Sequence, residues 1–198
     1  MSIKLVIGTL AKPGGGKGTF TRLLRDVCYE HGHHPSIGGP RFSDALRKAA
    51  QMFDILESRE NLQKLAQALD ALCPGAVANG MGFMLEQDQN EIKIADGVRW
   101  LYDEKMINSL GGLLVYVKAD PVLRFQRIKD RAENAGDREK TWEKFQEEDM
   151  AENEKYVDEI GSRAHFKIDN NGTLENYKNQ VREFYRKFIA PCYEKKDE

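Results

Sequence analysis

One short stretch rich in glycine constrains this chain more than any other, Ala11-Lys-Pro-Gly-Gly-Gly-Lys-Gly-Thr19. The apolar run Ile3–Ile7 before it predicts a buried strand, and the run Phe20–Arg25 after it predicts the start of a helix. Glycines let the backbone curl so that successive N–H groups point at one anion, and the helix N-terminus adds further donors. The stretch therefore predicts a phosphate-binding P-loop, which comprises Pro13, Gly14, Gly15, Gly16, Lys17, Gly18 and Thr19.

Length and charge narrow the class of protein. The 198 residues suit one α/β domain, and we expect residues 1–198 to form it. A formal net charge of -2 gives no general attraction to nucleic acid or to acidic membranes, and no apolar run approaches the roughly 20 residues of a membrane span. No signal peptide is visible, and three widely spaced cysteines favour reduced thiols. We expect a cytoplasmic protein that binds neither nucleic acid nor membrane.

Strand-like and helix-like patterns alternate along the chain. Five buried strands are predicted in chain order, at 3–7, near Ser36-Ile37, at 91–95, at 113–118 and at 165–169, and the second of them is shorter than the others. One helix is predicted from Ser58, with Leu62, Leu65, Leu69 and Leu72 on one face. The last helix follows a Thr173 cap and repeats Leu174, Tyr177, Val181, Phe184, Tyr185 and Phe188. The alternation predicts an α/β fold whose parallel sheet has helices on both faces and binds ligands at the carboxyl ends of its strands.

Two segments interrupt this alternation. Residues 42–90 are mostly helical in pattern and lie between the second and third strands. Residues 132–160 are highly charged and have few apolar anchors. A segment this polar is expected to pack lightly, either as a solvated surface helix or as a small mobile lid.

Charged residues follow the strand that should neighbour the P-loop strand. Asp96 ends the third strand, where a carboxylate can hold Mg²⁺ directly or through water, and Thr19 is a second candidate ligand. Arg99 lies three residues further along the same edge, and arginine is suited to a bidentate grip on phosphate. The pair Asp44 and Arg47 opens the first insert, where it either contacts a substrate or forms a simple surface pair at i,i+3 spacing.

Two later segments carry further candidates. Arg124, Arg127 and Arg131 recur on one face of the helix after the fourth strand, and for Arg124 a basic solvated face is as good an explanation as function. The segment Asp169–Thr173 joins the last strand to the last helix. Its residue types suit a turn and a cap, and a nucleotide contact is the alternative explanation.

In this order the motifs resemble those of the P-loop nucleoside monophosphate kinases, a family that includes adenylate and cytidylate kinases. The resemblance lies in the Gly-Lys-Gly-Thr ending with Pro13, in the Asp44-Ala-Leu-Arg47 segment, in an Asp96-Gly-Val-Arg99 version of Asp-Gly-Phe-Pro-Arg shortened by one residue, and in the Arg127/Arg131 pair. It implies a three-layer P-loop NTPase fold with a five-stranded parallel sheet, a helical acceptor-binding insert at 42–90 and a short lid at 132–160.

The resemblance also implies an activity, the Mg²⁺-dependent transfer of the γ-phosphoryl group of ATP to a nucleoside monophosphate. The catalytic groups it implies are Lys17, Arg99, Arg127, Arg131 and Arg138. The ATP contacts it implies are the P-loop residues with Arg127, Asn171 and Gly172. The acceptor contacts it implies are Arg41, Asp44, Arg47, Arg99, Asp103 and Glu104. Asn134 and Phe145 stand where the family has lid arginines, so Arg138 is expected to substitute.

Several alternatives remain open from the sequence. Asp103 and Glu104 either accept hydrogen bonds from guanine or from the cytosine amino group, or are helix-start acids that face water. The shortened Asp-Gly-Val-Arg segment also resembles dephospho-coenzyme A kinases. A different class, a nucleotide-binding switch or regulatory ATPase, needs no small acceptor. Apart from small-molecule substrates we expect no obligatory partner and favour a monomer.

Overall fold

The computed structural model describes residues 4–132, 136–151 and 154–194. The strands are β1 Leu5–Leu10, β2 Ile37–Gly38, β3 Ile92–Asp96, β4 Leu113–Lys118 and β5 Phe166–Asp169. The helices are α1 Lys17–Glu30, α2 Phe42–Met52, α3 Arg59–Leu72, α4 Ala76–Gln87, α5 Leu101–Ser109, α6 Pro121–Arg131, α7 Trp142–Asp149, α8 Val157–Ser162, α9 Leu174–Phe184 and α10 Ala190–Glu194. A π-helical turn, Tyr185–Ile189, joins α9 to α10.

The strands form one parallel sheet in the order β2-β3-β1-β4-β5. The N-terminal strand β1 lies in the middle, and its Thr9 is in register with Asp96 of β3 and with Val115 of β4. Because parallel strands end at the same edge, the P-loop after β1 and Asp96 at the end of β3 are side by side. The sheet order thus assembles the candidate site at the carboxyl edge.

Apolar side chains cover both faces of the sheet. On one face, α1 and α9 contribute Phe20 and Phe184, whose rings pack edge to face with centroids 5.3 Å apart. On the other face, α4 and α8 contribute Met81 and Ile160, which are fully buried. Helices on both faces of a parallel sheet make the three-layer α/β fold that the sequence predicts.

The strand and cap predictions agree closely with the structure. The fourth predicted strand coincides with β4, and the short strand near Ser36-Ile37 is β2. The first strand extends to Leu10, three residues beyond its predicted end, because β1 pairs with β3 on one side and with β4 on the other. Ile3, its predicted first residue, lies outside the described residues. Thr173 caps α9 by accepting a hydrogen bond from the Asn176 N–H.

The helices α2, α3 and α4 form the predicted helical insert. Leu46 and Ala50 of α2 pack with Leu62 of α3 in a small cluster of their own. Ser58 caps α3 as its pattern predicts. Leu72 departs from the prediction: it ends α3 and is 85% exposed instead of joining the buried face. Leucine periodicity therefore predicts the helix correctly, but it wrongly predicts that the last turn of the helix is buried.

The expectation that residues 132–160 pack lightly is wrong for helix α7. Phe145 is 2% exposed, and it packs on Trp142 and on Phe125 of α6 with ring centroids 5.2 and 5.5 Å away. Three aromatic rings thus hold this helix to α6, although most of its other side chains are charged. The remainder of this segment is described at 132, 136–141, 150–151 and 154–160; Asn134 lies outside the described residues.

Among the described residues, no single helix is both long enough and apolar enough to cross a membrane. The pair Glu60–Leu72 and Ala76–Gln87 meets that test only in combination, and it is bent by 99°.

Candidate active site

The glycine-rich turn between β1 and α1 has the backbone of a phosphate-binding loop. Gly14 and Gly16 have φ angles of 76° and 103°, in the left-handed region that side chains disfavour. The Gly15 N–H donates to the Lys12 carbonyl over 2.9 Å, which closes the turn. Helix α1 begins at Lys17, so its N-terminal N–H groups and its positive dipole end face the same space.

Residues far along the chain hold the inner half of this loop. The buried Asn170 donates its Nδ2 to the Gly15 carbonyl over 2.8 Å, and the Tyr177 hydroxyl donates to the Gly16 carbonyl over 3.1 Å. Burial raises the pKa of Tyr177 well above its ordinary value, so its hydroxyl keeps the proton that it donates. Asn170 in the β5–α9 connection and Tyr177 in α9 therefore hold the backbone of the P-loop.

The nucleotide contacts predicted in that connection are the two residues after Asn170. The Asn171 side-chain oxygen accepts a hydrogen bond from the Asp120 N–H over 2.7 Å, and Gly172 is exposed. Asn170, which the sequence pattern does not single out, makes the P-loop contact. Two adjacent asparagines in one turn give no sequence signal that tells them apart.

Lys17 lies among other charges at this edge of the sheet. Burial lowers its pKa from 10.5 to about 8; Asp96 opposes that shift, while Arg99, Arg131 and Arg41 lower the pKa further. Its Nζ is 3.4 Å from the Ala11 carbonyl oxygen. Because charges perturb one another only at short range, Asp96 and these three arginines lie near Lys17.

Asp96 is the carboxylate at the end of β3. Its Oδ1 accepts a hydrogen bond from the Thr9 hydroxyl over 3.3 Å, and its Oδ2 is 3.8 Å from Nε of Arg41. Within residues 4–132, 136–151 and 154–194 no group of three or more His, Cys, Asp or Glu residues could hold a metal ion by itself. Mg²⁺ in phosphoryl-transfer sites needs only one or two carboxylates together with the phosphates, so Asp96 and the half-buried Thr19 fit such an ion.

The three arginines predicted to bind the acceptor all lie beside carboxylates of the protein, Arg41 beside Asp96 as described above. Arg99 forms an ion pair with Glu154, which precedes α8 and is 1% exposed. Arg47 donates to Glu57 over 2.9 Å, so the simple surface pair with Asp44 does not form. Asp44 instead caps α2 by accepting from the Arg41 N–H over 2.8 Å.

A cavity of about 590 Å³ lies beside Arg47, between α2 and α4. Lys48 and the exposed Phe83 also line it, whereas Lys17 and Arg99 do not. Sequence pattern does not predict this cavity, because a phenylalanine within a helix usually indicates core packing. Its lining combines the cations Arg47 and Lys48 with the carboxylates Asp44 and Asp88 and the ring of Phe83.

Asp103 and Glu104 are engaged at the start of α5. Asp103 is 2% exposed, not facing water, and it accepts hydrogen bonds from the N–H groups of Arg99 and Trp100 over 2.9 and 3.0 Å. Glu104 accepts two hydrogen bonds from Arg163, over 3.0 and 2.7 Å. Both carboxylates therefore make protein contacts in this structure, and Asp103 holds the backbone of Arg99 through its N–H.

Burial raises the pKa of Asp103 from 3.8 to about 6, although its backbone hydrogen bonds and Arg99 oppose the shift. The folded state therefore binds this proton more tightly than the unfolded state, and stability is lost as pH rises from about 4 through 6. In Asp103→Asn the amide oxygen accepts the same hydrogen bonds but does not titrate. We expect the free energy of unfolding of this variant, relative to that of the wild type, to rise by up to about 3 kcal/mol between pH 4 and pH 7. Urea unfolding of both proteins at each pH measures this gain; a difference that stays constant with pH contradicts it.

The arginines of α6 take different positions. Arg127 donates Nη2 to the Asn170 carbonyl over 3.0 Å, while its Nη1 is buried and has no hydrogen-bond partner among the described residues. Arg131 ends the helix, is exposed, and lowers the pKa of Lys17. Arg138 is exposed in the turn at 136–139. Arg124, for which a solvated face was one expectation, is 3% exposed, and helical spacing alone did not reveal its burial.

Comparison with known proteins agrees with this geometry. No model of a protein family matches the sequence. The chain is 26% identical to a UPF0200 protein of Sulfurisphaera tokodaii over 96% of this chain and 100% of that protein. It superposes on TT1252 from Thermus thermophilus with a TM-score of 0.65 and 16% identity, covering 94% of this chain and 99% of the other. The fold is an α/β P-loop NTPase fold.

A shikimate kinase from Bacteroides thetaiotaomicron is similar in the same way. Its TM-score is 0.59 at 10% identity, over 92% of this chain and 97% of that enzyme. At such identities the likeness concerns the fold, and it does not select the nucleoside monophosphate kinases among the P-loop kinases.

Proposed function

We propose that this protein is an ATP-dependent phosphotransferase that acts on a small phosphorylated acceptor. The observation that carries this proposal is the convergence of Lys17, Arg41, Arg99 and Arg131 on the P-loop edge of the sheet. A P-loop that only holds a nucleotide needs its lysine and backbone N–H groups. Further arginines suit a site that also binds a second anion and neutralises a phosphoryl group in transfer.

The donor side of the proposed reaction uses the P-loop. Lys17 and the loop N–H groups bind the β- and γ-phosphates of ATP, and the buried Nη1 of Arg127 is a donor available to the nucleotide. Mg²⁺, when bound near Asp96 and Thr19, neutralises phosphate charge. An acceptor oxygen attacks the γ-phosphorus while the bond to the β-phosphate oxygen breaks, which yields ADP and the phosphorylated acceptor.

The acceptor is proposed to be a nucleoside monophosphate, with Arg47 and Arg99 as its phosphate contacts. Each arginine now contacts a protein carboxylate, Glu57 or Glu154, and an acceptor phosphate would compete with that carboxylate. Dephospho-coenzyme A is the alternative acceptor, and the cavity between α2 and α4 offers room for an extended group. A monomeric state and a cytoplasmic location stay predictions.

A coupled ADP-release assay tests the proposal. It contains ATP, Mg²⁺ and one acceptor at a time from AMP, CMP, UMP, GMP, dTMP, the other deoxynucleotides and dephospho-coenzyme A. We expect one acceptor to stimulate ADP release strongly. ATP binding without stimulation by any acceptor would instead favour a nucleotide-binding switch or a regulatory ATPase.

With that acceptor, Arg99→Ala and Arg47→Ala are each expected to raise its KM by about tenfold to a hundredfold, since a charge-assisted contact to phosphate contributes about 1.5–3 kcal/mol. The KM for ATP should change much less. Arg186→Ala, which changes an exposed arginine of the π-helical turn after α9, is the control. An unchanged acceptor KM in both variants contradicts the proposed acceptor site.

A further inference from the structure

Arg124 on α6 connects the P-loop to helix α7. Its Nε donates to the Ala119 carbonyl over 3.0 Å, and its Nη1 reaches the Pro13 carbonyl of the P-loop over 3.4 Å. The same guanidinium grips Asp149, the last residue of α7, through two hydrogen bonds of 2.5 and 2.9 Å. The Phe145 ring of α7 lies beneath it, 5.3 Å from Cζ. One buried side chain therefore contacts both elements.

A second cation, Lys12, also connects the glycine-rich turn to α7. Lys12, which opens the P-loop turn, has its Nζ 3.6 Å from Asp149 and 3.3 Å from Asp158 of α8. Asp158 in turn accepts a hydrogen bond of 2.5 Å from the Tyr116 hydroxyl of β4. Asp149 thus lies between one cation from the P-loop and one from α6.

The backbone of α6 touches the loop directly. A Cβ atom built on Gly14 would lie 2.6 Å from the Arg124 carbonyl oxygen, closer than real contacts allow. The outer half of the P-loop, residues 12–14, therefore rests on α6 and α7, while its inner half rests on Asn170 and Tyr177.

Stability alone explains the buried pair poorly. Burying two charges costs free energy, and apolar replacements of such pairs are often neutral or stabilising. The aromatic cluster of Phe125, Trp142 and Phe145 already holds α7 to α6. What the ion pair adds is a directed hydrogen bond to a P-loop carbonyl.

We infer that Arg124 is a positioning residue: with Asp149 it fixes the outer half of the P-loop in its phosphate-binding shape, so that nucleotide affinity depends on helix α7. Neither side chain is assigned a contact with the nucleotide. This inference rests on the proposed function only insofar as the P-loop binds a nucleotide.

The test removes both charges at once, so that no buried charge is left unpaired. The double variants Arg124→Met/Asp149→Leu and Arg124→Gln/Asp149→Asn are compared with the wild type by calorimetric titration with ADP and by urea unfolding without nucleotide. Arg182→Lys is the control, because Arg182 pairs with Glu175 of α9 and Glu30 of α1, which belong neither to the P-loop nor to α6 or α7.

We expect the first double variant to unfold at the wild-type urea concentration or above, and to bind ADP about tenfold more weakly. The second keeps polar side chains, is also expected to bind ADP more weakly, and serves if the first does not fold. Wild-type ADP affinity in a folded double variant would overturn the positioning role. Failure of the wild type to bind ADP would instead contradict the proposed function.

Discussion

Replacing Lys17 with alanine is expected to reduce phosphoryl transfer about a hundredfold or more without lowering the free energy of unfolding. The ammonium group is desolvated and lies near three arginines, so in the absence of nucleotide its charge is unfavourable to the fold. The same desolvation strengthens its attraction to phosphate, and preorganised donors of this kind contribute about 3–4 kcal/mol to a transition state. The coupled assay with the identified acceptor, together with urea unfolding, measures both effects.

Lys64→Ala is the matched control for that variant, because Lys64 is an exposed lysine that forms an i,i+4 ion pair with Glu60. It should leave activity unchanged. If Lys17→Ala kept more than a tenth of the wild-type rate, the role of Lys17 at the transferred phosphate would be wrong. Both a kinase and a switch need this lysine, so the variant tests the P-loop and not the acceptor.

Gly16→Ala is expected to destabilise the fold by at least about 2 kcal/mol and to abolish measurable nucleotide binding. The φ angle of 103° is costly for any residue with a side chain, at about 1–3 kcal/mol. The new Cβ would also lie 2.4 Å from Nδ2 of Asn170, the atom that holds the Gly15 carbonyl. The loop or Asn170 must therefore move. Thermal or urea unfolding and calorimetric titration with ADP measure the two effects.

Gly82→Ala is the comparison for this second variant. Gly82 lies within α4, and a Cβ there meets only ordinary contacts, the nearest 3.6 Å away at Met106. Alanine is the better helix former, so this variant should gain about 0.5–1 kcal/mol. Equal stability of the two variants would show that the conformation at Gly16 is less constrained than the contacts indicate.

The parts of this protein that were predictable from sequence are those in which the chemistry is local. The P-loop follows from residues next to one another, and Ser58 and Thr173 cap the helices that begin beside them. Asp96 lies beside Thr9 because strands after helical crossovers pair in parallel. The family resemblance correctly predicted the three-layer P-loop NTPase fold, whereas the nucleoside monophosphate acceptor that it implies stays a prediction.

The contacts that escaped prediction join residues far apart in sequence. Arg124 meets Pro13 and Asp149 across separations of 111 and 25 residues, and helical periodicity does not say whether a basic face is covered. Arg47 pairs with Glu57 across a loop instead of with Asp44 one turn away. Such partners depend on how whole elements pack, and one sequence does not encode that packing in any local pattern.

The placement of β1 and Tyr177 has a consequence for the order of events at the ribosome. The glycine turn is synthesised before β3, β4 and α9, yet its strand pairs with β3 and β4, and its carbonyl at Gly16 is held by a residue 161 positions later. A nascent chain that ends before β5 carries the whole motif without Asn170 and Tyr177, which hold its inner half. The loop is therefore expected to take its final shape only after these distant segments have been synthesised.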